Sequence, residues 1–221
     1  MNVQEFHGYL KLTHTFACGI TQCGKSTIVS NILSKFIEQN KDCKILIFNT
    51  QQLPEFQRLG VNTNCYESTI GSFTQNQTTI YNPQLRFSSE QEYFEISSIL
   101  QQVFNIQDYY KRTEKQKRVL IVVDEISQYC HKLYGINVNE FPLITSRGLK
   151  PYKINLLSIS QRIQQVHNSI VSQSPNLIIG YLGDEDYKLA KSYYAKLPYE
   201  QKINDYYEFY FCNWKVLERI Q

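Results

Sequence analysis

The chain has 221 residues with a formal net charge of +3, and 42% of its residues are hydrophobic and 14% aromatic. This length favours one domain, and the low content of 9 glycines and 6 prolines excludes collagen-like and low-complexity chains. The charge excess is too small for a protein that coats nucleic acid by electrostatics alone, so any DNA contact must be local. The composition therefore predicts a folded globular protein.

The sequence shows no membrane or export signal. Its longest uninterrupted apolar run, Val119 to Val123, is far shorter than the about 18 residues that cross a bilayer. The N-terminus lacks a basic segment followed by an apolar stretch, so no signal peptide is predicted. The six cysteines form no C-x-x-C pair, which favours buried, reduced thiols over a metal site. We therefore expect a protein that works inside a cell.

The first half of the chain predicts a strand, a loop and a helix, followed by two more strands. An apolar run at residues 12–18 leads into a glycine loop, and residues 28–37 then carry apolar side chains on one helical face. Further strands are predicted at 44–48 and 78–81. The polar residues 49–77 between them predict a long irregular connection with one helical turn.

The second half repeats this alternation. Residues 89–105 begin with Ser89 and acidic residues and continue with apolar spacing typical of a helix. Continuous apolar runs are typical of strands covered on both faces, so we predict a central sheet of about five mostly parallel strands with helices on both sides. The remaining elements are strands at 119–123, 154–159 and 176–182, a helix at 184–197 and an antiparallel edge hairpin at 206–216. We expect residues 1–221 to form one domain.

Residues 19–26 match the G-x-x-x-x-G-K-[ST] pattern of a phosphate-binding loop, the Walker A motif. The glycines let backbone N–H groups curl around phosphates, and the following helix presents its positive end to them. Lys25 is predicted to reach the β- and γ-phosphates of a nucleotide, and the Ser26 hydroxyl to coordinate Mg²⁺. The alternative, a glycine turn with an exposed lysine, does not account for the preceding strand and following helix. The nucleotide-binding residues predicted here are Gly19, Ile20, Thr21, Gln22, Cys23, Gly24, Lys25, Ser26 and Thr27.

An acidic pair, Asp124-Glu125, ends the hydrophobic strand that begins at Val119, in the manner of a Walker B motif. The carboxyl end of a strand in an open parallel sheet lies beside the crevice where ligands bind. We assign Asp124 to the Mg²⁺ shell opposite Ser26 and Glu125 to the general base that polarises a water molecule. Taken alone the two side chains could be solvated carboxylates; together with the phosphate loop they favour nucleotide hydrolysis.

A third polar segment, Ser160-Gln161-Arg162, follows the next apolar strand. Gln161 is predicted to contact the attacking water or the γ-phosphate and to sense the state of the nucleotide. A glutamine at a strand end is more often an ordinary polar loop residue. Its position after the strand expected beside the acidic one favours the sensor role.

The order of these three motifs resembles the HerA/FtsK superfamily of DNA-pumping ATPases. Ser146-Arg147-Gly148, upstream of the strand that ends at Gln161, also resembles the pattern of that family. The short chain is most similar to the genome-packaging ATPases of poxvirus-type and tailless, membrane-containing viruses. The resemblance extends from about residue 13 to residue 182. Two departures are Asn49, where members often carry an acidic residue, and the lack of a separate DNA-binding domain.

The resemblance implies a RecA-like α/β fold of the additional-strand (ASCE) type, with a C-terminal antiparallel extension, that binds ATP with Mg²⁺ and hydrolyses it. It also implies a homo-oligomeric ring, usually a hexamer, with double-stranded DNA in the channel and a capsid or viral membrane protein as a further partner. The expected location is the cytoplasm of the host cell or the virion. Arg147 matches the arginine that a neighbouring subunit inserts towards the γ-phosphate, and Arg162 competes for that role.

Two questions remain open at this stage. The basic residues are concentrated in Lys150, Lys153 and the run 111–118, which could contact DNA in the channel or belong to solvated linkers. A small P-loop kinase and an ATPase that assembles or exports filamentous particles are the alternative functions. The first would require acceptor-binding arginines and a lid rich in glycine or arginine, and the second commonly has a membrane span; none of these is evident in the sequence.

Overall fold

The computed structural model describes residues 8–11, 13–84, 89–198, 201, 208–213 and 216–220. In this part of the chain the strands are β1 (Thr15–Cys18), β2 (Lys44–Phe48), β3 (Val61–Thr63), β4 (Thr78–Tyr81), β5 (Val119–Val123), β6 (Cys130–His131), β7 (Gly135–Ile136), β8 (Ile154–Ser160), β9 (Asn176–Ile179), β10 (Phe209–Cys212) and β11 (Leu217–Ile220). The α-helices are α1 (Lys25–Gln39), α2 (Pro54–Gln57), α3 (Tyr66–Gln75), α4 (Ser89–Arg112), α5 (Glu140–Leu143), α6 (Asn168–Val171) and α7 (Asp184–Tyr193). A π-helix spans Ile144–Tyr152, and single 3₁₀ turns span Ile126–Gln128 and Ile163–Gln165.

Nine of the described strands form one sheet in the order β11-β10-β9-β1-β8-β5-β2-β4-β3. The seven strands from β9 to β3 run parallel, whereas β10 and β11 are antiparallel to their neighbours. Cys18 at the end of β1 is in register with Ser160 at the end of β8, and Phe48 at the end of β2 with Val123 at the end of β5. The loops that follow these four strands therefore meet at one edge of the sheet.

Both faces of the sheet are buried, because successive side chains of each central strand enter opposite cores. In β5, Ile121 packs into one core and Leu120 and Val122 into the other. Helix α4 covers the first face with buried side chains that include Ile99 and Val103, and α1 covers the second with Val29, Ile32, Leu33 and Phe36. None of the described helices is long and apolar enough to cross a bilayer.

The predicted fold class is confirmed: a large, mostly parallel sheet lies between two helical layers and ends in antiparallel strands. The sheet is wider than predicted, with seven parallel strands instead of about five. Part of the difference lies in residues 49–77, which form α2, β3 and α3 instead of an irregular connection. Val61 and Asn62 of β3 are exposed on an edge strand, so this strand leaves no apolar run in the sequence.

Several element ends also differ from the prediction. Helix α4 continues to Arg112: Gln107 is buried in the added turns, and basic side chains in the last turn favour a helix C-terminus. Strand β9 ends at Ile179 and helix α7 at Tyr193, earlier than predicted. An antiparallel pair is present at the predicted place, but only β10 lies within residues 206–216; its partner β11 begins at Leu217, after the predicted end. Residues 206, 207, 214 and 215 of that prediction lie outside the described residues.

Candidate functional site

A cleft of about 420 Å³ opens at the carboxyl edge of the parallel sheet, beside the ends of β1, β2, β5 and β8. Its volume is within the range of nucleotide-sized ligand pockets. It is lined by Thr21, Gln22, Gly24, Lys25, Ser26, Thr27, Gln51, Leu53, Glu55, Asp124, Glu125, Ile159 and Gln161. The phosphate loop, the acidic pair and Gln161, predicted separately from the sequence, thus share one site.

The phosphate loop connects β1 to α1 through a left-handed turn. Gly24 has φ +89° and immediately precedes the first residue of α1, Lys25, so glycine is needed for its backbone conformation. A side chain at Gly19 would place a Cβ 2.8 Å from Cys23 Sγ. The Ile20 N–H donates to the Tyr181 carbonyl at 2.9 Å, which anchors the loop to the segment after β9. The loop is therefore held in shape by groups outside it.

Lys25 is buried at the start of α1, with only 8% of its surface exposed. Its Nζ donates to the Ile20 carbonyl at 2.7 Å and lies 4.0 Å from Cys23 Sγ. Burial lowers the pKa of the Lys25 ammonium because the charged form loses hydration. The amine therefore lies within the phosphate loop with only neutral acceptors, where an anionic ligand would stabilise its charge.

Asp124 is 4% exposed at the end of β5. The Thr50 hydroxyl donates to its Oδ1 at 2.9 Å, and the Gln51 N–H donates to its Oδ2 at 3.1 Å. Burial raises the pKa of Asp124 to about 7, although these two hydrogen bonds act in the opposite direction. The Ser26 hydroxyl and the Asp124 carboxylate line the same cleft and are hard oxygen ligands, so the site fits Mg²⁺.

Glu125 is 7% exposed and is held through one oxygen. The Ser127 hydroxyl donates to its Oε1 at 2.6 Å and the Ser160 hydroxyl at 2.8 Å. These contacts leave Oε2 without a hydrogen bond to any described residue. Glu125 therefore has one oxygen fixed by β8 and the turn after β5, and a second oxygen available to a water molecule.

Gln161 is connected directly to the phosphate loop. The Thr21 hydroxyl donates to Gln161 Oε1 at 2.7 Å, and both side chains line the cleft. Since Gln161 follows Ser160, which contacts Glu125, the end of β8 touches the phosphate loop and the acidic pair at once. This is the position from which a side chain can respond to a change at a bound phosphate.

Neither predicted arginine lies in this cleft. Arg147 is exposed in the π-helix that precedes β8, at the amino edge of the sheet, and forms no ion pair with a described residue. Arg162 follows Gln161, but its Nε lies 3.8 Å from Asp186 Oδ2. The cleft of a single chain thus contains Lys25 as its one lining cation among the described residues.

Sequence reasoning missed the residues that support the acidic pair. Thr50 and Gln51 follow β2, and Glu55 from α2 adds a third carboxylate to the cleft. Asn49 is buried, and its Nδ2 donates to Asn82 Oδ1 at 2.8 Å and to the Leu53 carbonyl at 3.2 Å, which a carboxylate could not do. Its Oδ1 accepts the Leu53 N–H at 2.8 Å and so fixes the turn that carries Thr50 and Gln51. In the sequence, only the position of Thr50 and Gln51 directly after a predicted strand points to a role for them at the site.

No family model and no curated protein matches the sequence. Among solved structures, the chain is similar to the genome packaging NTPase B204 from Sulfolobus turreted icosahedral virus 2 in complex with ATP-gammaS, at 13% identity and a TM-score of 0.70 over 95% of this chain and 97% of that one. It is similar to EssC (ATPases 2 and 3) from Geobacillus thermodenitrificans at 12% identity and a TM-score of 0.64, covering 95% of this chain and 39% of that one. The pCW3 conjugation coupling protein TcpA gives 17% identity and a TM-score of 0.58, covering 96% and 60%. The chain therefore has the fold of these P-loop ATPases, as its resemblance to the HerA/FtsK superfamily implied.

Proposed function

We propose that this chain, as a single P-loop ATPase domain, binds ATP with Mg²⁺ and hydrolyses it to ADP and phosphate. The observation that carries this proposal is the convergence of the phosphate loop, Asp124, Glu125 and Gln161 on one cleft at the carboxyl edge of the sheet. Ligands of open α/β sheets bind at this edge. The similar B204 structure was solved with an ATP analogue, which supports a nucleotide as the ligand of this fold.

The amino end of α1 and Lys25 bind the phosphates in this proposal. Backbone N–H groups of the loop and the positive helix end favour anions there. The Lys25 ammonium, which contacts the Ile20 carbonyl in the structure, would exchange this neutral acceptor for a phosphate oxygen. Ser26 and Asp124 would hold Mg²⁺, which supplies positive charge to the β- and γ-phosphates.

Glu125 is the proposed general base. Its Oε1 accepts two hydroxyl hydrogen bonds, so the carboxylate is fixed and Oε2 can take a proton from the attacking water. Gln161 would orient that water or the γ-phosphate and pass the state of the nucleotide to the phosphate loop through Thr21. The oriented carboxylate that this mechanism requires beside the phosphates would thus come from the same chain as the phosphate loop.

The balance of charge in the cleft favours an additional cation from another subunit. The lining carboxylates are Glu55, Asp124 and Glu125, and the lining cation is Lys25. A nucleoside triphosphate adds further negative charge, which Mg²⁺ offsets only in part. We propose a homo-oligomeric ring in which a neighbouring subunit completes the site, with Arg147 and Arg162 as the candidates for its arginine.

The proposed biological role is translocation of double-stranded DNA, in the packaging of a viral genome. It is supported by the similarity to a genome packaging NTPase over nearly the full length of both chains, and by the similarity to a conjugation coupling protein. A capsid or viral membrane protein would be a further partner. The work would take place in the cytoplasm of the host cell or at the virion.

The first test is the variant Glu125→Gln. We expect ATP turnover to fall by at least 10²-fold, the scale of general base catalysis, while binding of a fluorescent ATP analogue stays within about twofold. Glu38→Gln, at the far end of α1, is the control and keeps turnover. If Glu125→Gln hydrolyses ATP as fast as the wild type, Glu125 is not the general base.

The second test measures ATPase activity with and without long duplex DNA, together with the particle mass in the presence of an ATP analogue. Stimulation by duplex and a ring-sized particle support the proposed motor. A requirement for a hydroxylated acceptor would instead indicate a kinase. Activity of a stable monomer would contradict the need for a neighbouring subunit.

A further inference from the structure

The longest described helix, α4, carries an outer stripe without charge along most of its length. A groove of about 960 Å³ runs between this helix and α3. The stripe consists of side chains that follow one another at helical spacings of three or four residues: Phe94, Ser98, Gln101, Asn105 and Tyr109. Phe94 is 76% exposed and Tyr109 is 63% exposed. The helix thus presents a polar, uncharged stripe with an exposed aromatic ring at each end.

The charges of α4 lie at its two ends and differ in sign. Its first turns carry Glu90 and Glu95 and its last turn carries Lys111 and Arg112, whereas residues 96–107 contain no charged side chain. Asp108 forms an exposed ion pair with Arg112 within the chain, a contact that is weak in water. The charged residues among the described lining of the groove are all carboxylates. The helix is therefore acidic at its amino end and basic at its carboxyl end.

This surface has the composition of an interface core. Charged residues are depleted and aromatic residues are enriched at the cores of protein interfaces. Two side chains that line the groove are also held in place: Gln101 Nε2 donates to Glu140 Oε1 at 2.8 Å, and the Tyr81 hydroxyl donates to Glu95 Oε2 at 2.8 Å. Side chains that are already ordered lose little rotamer freedom on binding. The stripe is therefore suited to contact another protein surface.

A second copy of the same helix complements this surface when the two helices run antiparallel. Glu90 and Arg112 each lie eleven residues from Gln101, or about 16 Å along the helix. Two antiparallel helices that meet at Gln101 therefore bring Glu90 of each copy to Arg112 of the other. The same placement brings Phe94 of each copy near Tyr109 of the other. In a parallel placement the acidic ends would face each other, and so would the basic ends, so charge selects the antiparallel arrangement.

We propose that two copies of this chain pair through α4, antiparallel and with twofold symmetry. Such a contact uses the same patch on both copies and closes on itself, so it is separate from the ring contact that would complete the nucleotide cleft. With its 24 residues, α4 is about 36 Å long and 10–12 Å wide and offers about 400 Å² per copy, roughly half of a standard interface. The pairing is therefore weak between single chains and gains strength where assembled chains present several copies. It does not depend on the proposed ATPase function.

The test is oxidative cross-linking of full chains that carry one added thiol on the stripe. In the antiparallel pair Ser98 of one copy lies opposite Asn105 of the other, whereas each of these residues is about 10 Å along the helix from its own counterpart. A disulfide requires Cβ atoms about 4 Å apart. All chains carry Cys65→Ser, because Cys65 is the one native cysteine that is not buried. We expect an equal mixture of Ser98→Cys and Asn105→Cys to form at least threefold more linked dimer than either variant alone at the same total concentration.

Exchanged charges test the register of the pair. Added to the cross-linking variants, Glu90→Arg or Arg112→Glu alone should lower the yield of the mixture at least threefold, and both together in each chain should restore it to within about twofold. Both substitutions are unfavourable for the helix ends, so restoration by the combination reports the pairing and not helix stability. Lys35→Cys on α1, which covers the other face of the sheet, is the control: mixed with Asn105→Cys it should give only the yield of random collisions. Thermal unfolding of each variant reports its folding.

Equal yields from the mixture and from the single variants would overturn the pairing, as would a failure of the exchanged charges to restore the yield. Efficient cross-linking of Ser98→Cys with itself would indicate a parallel contact and would also overturn it. ATP turnover of the chains before oxidation tests the proposed function separately. Loss of turnover with intact cross-linking would leave the pairing in place, and full turnover without cross-linking would leave the proposed function in place.

Discussion

At the scale of single residues, the acidic pair shows how two adjacent carboxylates acquire different environments. Asp124 accepts hydrogen bonds on both oxygens from the turn after β2, whereas Glu125 accepts both of its hydrogen bonds on one oxygen. Because side chains alternate along an extended segment, the two neighbours face different strands of the sheet. One carboxylate is thus suited to hold a cation and the other to accept a proton.

Ser160 is expected to position Glu125 for catalysis. Ser160→Ala removes one of its two hydroxyl donors, so we expect kcat to fall by about tenfold while nucleotide affinity stays within twofold. Ser158→Ala, two residues earlier in β8, is the matched control because its buried hydroxyl has no hydrogen-bond partner. Ser160→Thr should restore most of the rate. An equal loss in Ser158→Ala would show a general effect of β8 instead of positioning.

Asp124 should also control the pH dependence of stability. Its pKa of about 7 in the folded state, against 3.8 ordinarily, means that protonation stabilises the fold as pH falls from 7 to 4. The wild type should therefore gain on the order of 3 kcal/mol of unfolding free energy from this group between pH 7 and pH 4, and Asp124→Asn should lack that gain. His14 acts oppositely: its pKa is lowered from 6.5 to about 4, so stability is lost as pH falls through that range.

Urea denaturation at pH 7 and pH 4, without nucleotide or Mg²⁺, measures this difference. The control is Asp42→Asn, at a side chain that is 70% exposed, whose stability should follow that of the wild type. If the unfolding free energies of Asp124→Asn and the wild type change by the same amount between pH 7 and pH 4, the pKa of Asp124 is not raised in the folded state.

At the scale of elements, the loops after parallel strands build the proposed nucleotide cleft, and the π-helix before β8 lines a cavity at the opposite edge. The cleft and the cavity are joined by β8, which begins beside the π-helix and ends at Ser160. This strand is buried along its whole length.

The π-helix should tolerate little change at Gly148. We expect Gly148→Ala to destabilise the protein by about 1–3 kcal/mol, because the new methyl group would approach the Ile154 carbonyl to 2.8 Å. Gly71→Ala in α3 is the matched control: nothing lies within 4 Å of its added Cβ, so a gain of about 0.5–1 kcal/mol is expected. Thermal or urea unfolding compares the two. Equal effects would exclude close packing at Gly148 as the cause.

At the scale of the whole molecule, aromatic side chains hold the sheet and its helices together. Phe48 contacts Tyr81 and Phe141 in edge-on geometry, with ring centres 5.9 and 6.0 Å apart. Phe36 and Phe211 are fully buried in the core on the other face. The high aromatic content therefore belongs largely to the two cores, between which the strands position the cleft.

Nucleotide binding should stabilise this whole unit. At a concentration of 100 times the Kd, an ATP analogue with Mg²⁺ is expected to add about 2.7 kcal/mol to the unfolding free energy. Lys25→Met should abolish this gain, because it removes the buried amine from the phosphate loop, whereas Lys35→Met on the same helix should retain it. The measurement is thermal unfolding with and without ligand. If the ATP analogue stabilises Lys25→Met as much as it stabilises the wild type, the ligand does not bind at the phosphate loop.

The sequence by itself determined the fold class, the central strands and the order of the site motifs. Apolar runs predict strands buried on both faces, and the phosphate loop and Asp124-Glu125 are contiguous motifs whose chemistry depends on local spacing. The edge strand β3 was not predicted, because its exposed residues leave no apolar run in the sequence. The local sequence pattern was thus sufficient to predict an element or a motif wherever its burial or chemistry depends on a few adjacent residues.

Only the tertiary structure decided which distant residues meet. Ser160 reaches Glu125 across 35 positions of sequence, and Thr21 reaches Gln161 across 140, because parallel pairing brings the ends of β1, β5 and β8 to one edge. The same pairing places Arg147 at the opposite edge, with His14 and Lys150. Strand order is determined by packing over the whole chain, so these contacts leave no signal in any short stretch of sequence.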